Sequence, residues 1–302
     1  MQQPLAATII GGYLGAGKTT LVNHLLRHAN GQRLAVLVNE FGALPIDEDL
    51  IEATDEDLIS IAGGCVCCSF GSDLTAALMT MAERQPVPDH IIIESSGVAM
   101  PRAIAANIGL MQQYVLAGVV VLADSETIQT HAADEYIGDT VTRQLNDADL
   151  IVQTKNDLLI QSRSVVINEW LKTRHPQAGV IQTEQGNAPG EIVLGQFNTR
   201  ESQRISPHSD DTYHSEVFKI PQRCNAQQLA ATLTQSNAGI LRAKGFVIDH
   251  SGQTQLLQVV GKRFTLLPYE VCMKPQIVCI GLRGKFSRAE LEEAIVCAEN
   301  HQ

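Results

Sequence analysis

The chain has 302 residues, 44 % of them apolar, enough for one large domain or two packed ones, and no stretch is disordered by composition. A formal net charge of −11 excludes a basic surface for nucleic acid or anionic membrane and suits a protein that handles cations. No apolar run has membrane-span length and Met1-Gln2-Gln3-Pro4 lacks a basic leader, so the expectation is a cytoplasmic protein with no nucleic-acid and no membrane partner.

Through the first two-thirds, apolar runs alternate with helical patterns. Residues 6–10, 34–38, 91–94, 118–123, 150–153 and 180–182 are nearly continuous in Val, Ile and Leu, as strands buried on both faces are. Helical spacing falls at 18–28, 73–84, 136–147 and 164–174. Strands alternating with helices predict an α/β fold with a mostly parallel sheet and helices on both faces. From about Thr199 the composition turns polar, with Ile205 the single aliphatic residue between Arg200 and Asp211, and this reads as a linker. Beyond it, 215–220, 241–248, 253–260 and 276–281 read as strands. Residues 226–235 and a segment capped by Ser287, with Glu290 three residues on, read as helices. The expected organisation is a nucleotide-binding domain at 1–198, a linker at 199–212 and a smaller α+β domain at 213–302.

The most informative stretch is Gly12-Tyr13-Leu14-Gly15-Ala16-Gly17-Lys18-Thr19-Thr20, between the first strand and the first helix. It fits the P-loop pattern G-x-x-x-x-G-K-[ST] in the context that pattern requires. Gly12, Gly15 and Gly17 let the backbone curl, so that N–H groups from there through Ala16, Lys18, Thr19 and Thr20 face one anion. The helix starting near Lys18 adds its positive end. Lys18 is placed to neutralise the β- and γ-phosphates, and the Thr19 hydroxyl to bind Mg²⁺. The strand at 91–94 ends in Glu94, followed by Ser95-Ser96-Gly97. At a strand's C-terminal end Glu94 can position Mg²⁺ or water, and Gly97 can offer its N–H to a γ-phosphate. Thr154-Lys155-Asn156-Asp157 follows the fifth strand. The Asp157 carboxylate can accept two hydrogen bonds from guanine, with the Lys155 stem over the base, which selects GTP over ATP.

Two further groups carry chemistry. Seven cysteines include Cys65, Cys67 and Cys68 in a Gly63-Gly64-Cys-Val-Cys-Cys loop. Thiolates are soft donors suited to Zn²⁺ and related ions, and a three-thiolate site leaves a fourth position open for metal transfer. Three reduced packing thiols and a redox group are the other readings of the same residues. Asn39-Glu40-Phe41-Gly42 and Asp47 follow the second strand. Glu40 is a candidate metal ligand or a partner of the groups that hold Mg²⁺, and Asp47 a candidate to orient an attacking water or hold a Mg²⁺-bound water, against the plain alternative of a solvated acidic loop.

Taken together and in this order, these motifs resemble the CobW-type P-loop GTPases, relatives of the nickel-insertion GTPases of urease and hydrogenase. The resemblance also covers the C-terminal third, through Arg242-Ala243-Lys244-Gly245-Phe246 and Val278-Cys279-Ile280-Gly281. It implies a GTPase that slowly hydrolyses GTP to GDP and phosphate, with Asp47 in switch I; Lys18, Asp47 and Glu94 are the residues whose chemistry suits that reaction. It implies Zn²⁺ or Co²⁺ held by Cys65, Cys67 and Cys68, and a metallochaperone that delivers this ion to a client metalloprotein or cofactor pathway. A homodimer is one assembly open to such a protein. Two features depart from the pattern. Thr154 stands where the Asn of N-K-x-D is usual, so a weaker guanine preference is expected, and no His-rich storage loop is present. Val38 and Ala43, beside Asn-Glu-Phe-Gly, offer no ligand. The alternatives are a P-loop kinase acting on a small metabolite and a nucleotide-regulated binding module with redox-sensing cysteines.

Overall fold

The computed structural model describes residues 4–29, 31–38, 58–60, 72–195, 212–236, 238–271 and 273–300. The chain divides into two compact units, Met1–Leu194 and Gly195–Gln302. Apart from Thr212, the expected 199–212 linker lies outside the described residues.

The first unit is built on β1 (Leu5–Gly12), α1 (Lys18–Arg27), β2 (Leu34–Val38), β3 (Leu58–Ser60), α2 (Ser72–Glu83), β4 (His90–Glu94), α3 (Pro101–Gly109) and β5 (Tyr114–Asp124). It continues with α4 (Ile128–Ala133), α5 (Gly138–Asn146), β6 (Leu150–Thr154), α6 (Gln161–Arg174), β7 (Gly179–Gln182) and α7 (Gly190–Leu194). Its seven strands lie in the order β3-β2-β4-β1-β5-β6-β7, and every pairing is parallel. Every residue of β2, β4 and β6 is buried, the pattern of a sheet covered on both sides. One face carries Ile9, Leu37, Ile93 and Val121 under Leu74 and Leu78 of α2, Ile104 of α3, Leu145 of α5 and Leu171 of α6. The alternate residues Ile10, Val36, Ile92 and Val120 are equally buried, and α1 and α7 pack against β1. The strands after β1 lie first to one side of it and then, from β5, to the other. That reversal opens a crevice at the C-terminal ends of the strands beside β1, where ligands of open α/β sheets bind.

Three short helices and one strand of the first unit were not anticipated from sequence. β3 has three residues and, among the described residues, pairs with β2 alone. α3 starts with Pro101 at its first turn and buries only Pro101, Ile104 and Ile108, too sparse a stripe for a clear period. α4 buries Ile128 alone. The helix expected from 136 begins two residues later, because the Asp134 carboxylate accepts the N–H groups of Tyr136 and Ile137 and holds that segment in a turn.

The second unit comprises β8 (Tyr213–Lys219), α8 (Ala226–Gln235), β9 (Ile240–Ile248), β10 (Thr254–Val260), β11 (Arg263–Pro268), β12 (Gln276–Leu282) and α9 (Arg288–Asn300). Its antiparallel sheet has the order β11-β10-β9-β12-β8. The Asn225 side chain accepts the Gln228 N–H at 3.0 Å and starts α8. Ser287 Oγ accepts the Glu290 N–H at 3.4 Å at the start of α9, one half of the expected capping box; the Ser287 N–H donates to the Ala238 carbonyl instead of the Glu290 side chain. Leu229 and Leu233 of α8 and Leu291 and Ile295 of α9 share a core with Val247, Val259 and Cys279. β11 was not anticipated. It follows β10 through Gly261-Lys262, where Gly261 supplies the positive φ of 53° that a two-residue hairpin turn requires. Burial pushes the Cys224 thiol up to about 11 and the Cys279 thiol well above the usual range, so both are inert packing groups. Cys297 is exposed, and Cys272 lies outside the described residues.

Candidate functional site

The loop between β1 and α1 lies at the crevice. Gly17 caps α1 at φ 95° and its carbonyl accepts the first helical hydrogen bond, from Leu21 N–H at 3.0 Å. A side chain there would be strained, so the glycine is what allows the sharp entry into the helix. Lys18 is 9 % exposed, and its Nζ donates to the carbonyls of Gly12 at 3.1 Å and Tyr13 at 3.3 Å. The ammonium is thereby curled over its own loop, where an anion seated in the loop would meet it. The Tyr13 ring packs edge-on against His131 of α4, with centroids 5.3 Å apart.

Glu94 ends β4 beside Ile10 of β1 and is 2 % exposed. Its Oε1 accepts the Thr19 hydroxyl at 2.9 Å. The fold thus brings together a hydroxyl and a carboxylate that stand 75 positions apart in sequence. Both are hard oxygen donors of the kind Mg²⁺ takes. Beyond Glu94 the chain turns at Gly97, which lies directly on the P-loop. A Cβ there would stand 2.4 Å from Leu14 Cδ2 and 2.9 Å from the Leu14 nitrogen, so only glycine fits.

The segment after β6 lies at the same edge. The Thr154 hydroxyl donates to the Ala16 carbonyl at 2.9 Å, tying this segment to the P-loop across 138 positions. Thr154 therefore retains an anchoring hydrogen bond at the position where the family pattern has Asn. Lys155 adopts the left-handed conformation at φ 58°, and its Nζ pairs with Asp124 Oδ2 at 2.6 Å. Asp157 is exposed in the turn that follows.

Several supporting residues carried no sequence signal that singled them out. Asp124 ends β5 and fixes the Lys155 ammonium. Asn156 is a hub: its Oδ1 accepts from Ser125 Oγ, Gln153 Nε2 and Ser164 Oγ, and its Nδ2 donates to the Gln153 and Thr183 carbonyls. The loop after β7 closes over α1. Gln185 and Gly186 have φ of 51° and 76°, and a Cβ on Gly186 would stand 3.1 Å from Thr20 Cγ2. His24 of α1 hydrogen-bonds to the Ala188 backbone. Burial first, then the charges of His28 and Arg27, lower its pKa.

Glu40, Asp47, Cys65, Cys67 and Cys68 lie outside the described residues. Among the described residues no group of three or more His, Cys, Asp or Glu side chains is placed to hold a metal ion. No helix among them is long and apolar enough to cross a membrane.

A family model described as the CobW/HypB/UreG nucleotide-binding domain matches residues 6–182. The chain belongs to the CobW/HypB/UreG family. A second model, the cobalamin synthesis protein CobW C-terminal domain, matches residues 213–297, so this CobW-type chain carries both parts. It is 29 % identical over 310 residues to the zinc chaperone CobW of Sinorhizobium, covering 87 % of each chain. It is 35 % identical over 206 residues to the zinc chaperone YjiA of Escherichia coli, covering 65 % of this chain and 62 % of that one. A crystal structure of Zn(II)-bound YjiA GTPase from E. coli has a TM-score of 0.46 at 22 % identity, covering 99 % of this chain and 100 % of that one.

Proposed function

We propose that this chain binds and hydrolyses GTP and uses its nucleotide state to take up Zn²⁺ or Co²⁺ and release it to a client metalloprotein. The observation that carries the nucleotide half is the convergence of the P-loop, Glu94 and the Lys155–Asp157 segment on one sheet edge, joined by the Thr19–Glu94 and Thr154–Ala16 hydrogen bonds. Backbone N–H groups of residues 12–20 cradle the phosphates, and Lys18 exchanges its loop carbonyls for phosphate oxygens. Asp157 accepts the guanine N–H groups while the Asp124–Lys155 pair holds the Lys155 stem in place for the base. Thr19 and Glu94 fit Mg²⁺ by donor type; when bound, the ion neutralises charge that develops on the phosphates during hydrolysis. Asp47 orients the attacking water.

The metal half rests on donor chemistry and on kinship. Cys65, Cys67, Cys68 and Glu40 form a soft, partly anionic donor set suited to a late transition metal held as cargo. Relatives of the chain are named zinc chaperones. The cysteine loop falls in sequence between Asp47 and Glu94, two residues assigned here to the phosphate end of the site. Nucleotide and metal can therefore bias the same segments, and differential metal affinity between the GTP and GDP states drives transfer.

The test of the nucleotide half is binding and turnover of GTP and ATP by the wild type and Lys18→Ala. The reading predicts Mg²⁺-dependent GTP hydrolysis, preference for GTP, and loss of tight binding in the variant. Unchanged GTP affinity in Lys18→Ala contradicts it, and phosphate transfer to a small acceptor points to the kinase instead.

A further inference from the structure

Gln144 sits on the core-facing side of α5, 1 % exposed, beside the apolar Val141 and Leu145. A leucine would suit this environment, and a buried amide is costly there unless its hydrogen bonds are made. Both donors of its Nε2 are used, on the Gly97 carbonyl at 3.1 Å and the Ala99 carbonyl at 2.9 Å. These carbonyls belong to the turn that follows Glu94, closed by the Ala99 N–H on the Ser96 carbonyl at 3.1 Å. The two ends of this segment have their own ties. Thr19 holds Glu94 at 2.9 Å, and Asp147, which caps the C-terminal end of α5, accepts the Arg102 N–H at 3.1 Å. The middle is pressed on one side against Leu14 of the P-loop and is held on the other by Gln144.

From this we infer that Gln144 is a positioning residue for triphosphate recognition. It holds the Gly97 turn against the P-loop at the distance a γ-phosphate requires. A diphosphate ends within the Gly12–Thr19 loop, which has its own glycine geometry and its own lysine. A third phosphate extends past that loop toward the turn. Gln144 therefore governs turnover and the preference for GTP over GDP, and leaves GDP affinity alone. This rests on the reading of the P-loop as a GTP site.

The test compares wild type, Gln144→Met and Gln144→Glu for the Kd of GDP, the Kd of a non-hydrolysable GTP analogue, and the kcat of GTP hydrolysis. Met keeps the bulk and loses both donors; Glu keeps size and polarity but, buried against two carbonyls, is held protonated and keeps at most one donor. Losing two buried donors predicts about a tenfold loss in analogue affinity and in kcat, with GDP affinity kept within about twofold. The expected result in either folded variant is that split, with wild-type hydrogen-exchange protection of residues 94–102 by the analogue lost. Equal weakening of both nucleotides, or no change in either, overturns the assignment and leaves Gln144 as a packing residue. A wild type that binds neither nucleotide overturns the GTP-site reading itself, and with it this one.

Discussion

Replacing Thr154 by Val tests whether the base-side segment is anchored to the phosphate-side loop. The two side chains have the same shape, so no cavity opens and the lost group is the hydroxyl. That hydroxyl donates to Ala16 O at 2.9 Å, and both residues are buried, at 4 % and 2 % exposure. Water cannot replace the bond, so the Ala16 carbonyl is left unsatisfied at a cost of about 1–3 kcal/mol. Trp170 is the one tryptophan in the chain and lies in α6, so its fluorescence during urea unfolding reports the first unit. The expected outcome is a stability loss in that range, a weaker Kd for GTP and a smaller ratio of GTP to ATP affinity. Thr154→Ser keeps the hydroxyl and should behave as wild type. A Thr154→Val protein with unaltered unfolding midpoint and unaltered GTP affinity would refute the anchoring role.

Glu94→Gln keeps an oxygen to accept the Thr19 hydroxyl and removes the charge. GDP affinity should stay near wild type while Mg²⁺-dependent turnover falls by about 100-fold or more, and full turnover would exclude Glu94 from the reaction. His175 is buried, and that burial first, then the Arg174 charge, lowers its pKa below the ordinary 6.5. A depressed pKa favours the neutral ring in the fold, so its stabilising contribution is complete above pH 6.5 and is lost as pH falls through the folded-state value. The His175 ring lies edge-on to Trp170, with centroids 6.3 Å apart, so a pH titration of Trp170 fluorescence should show a midpoint below 6.5 that His175→Gln removes. A midpoint at or above 6.5 would contradict the burial argument.

The sequence was most legible where function depends on backbone geometry over a few residues. The P-loop glycines, the buried strands and the strand-end Glu94 are local patterns, and each has its counterpart in the structure, at the strand ends beside β1. Thr154 shows where such reading stops. Against the family pattern it implies only a weaker guanine preference, and the fold is what reveals its hydrogen bond to Ala16. Gln144, Asp124 and Asn156 were invisible for a related reason. Each acts on a partner brought to it from a distant stretch of the chain, and Gln and Asn at such spacing resemble ordinary polar positions. α3 and α4 are short helices whose few buried residues leave no period to detect, and β3 is only three residues long.

The central claim is coupling between nucleotide and metal. The most direct measurement is Zn²⁺ affinity by chelator competition with Mg²⁺ and either a non-hydrolysable GTP analogue or GDP present. A variant with Cys65, Cys67 and Cys68 changed to Ser runs beside the wild type. Nucleotide-gated transfer predicts about a tenfold or greater difference in wild-type affinity between the two states, and its loss in the variant. Equal Zn²⁺ affinity in both states would contradict it, because hydrolysis would then have nothing to move.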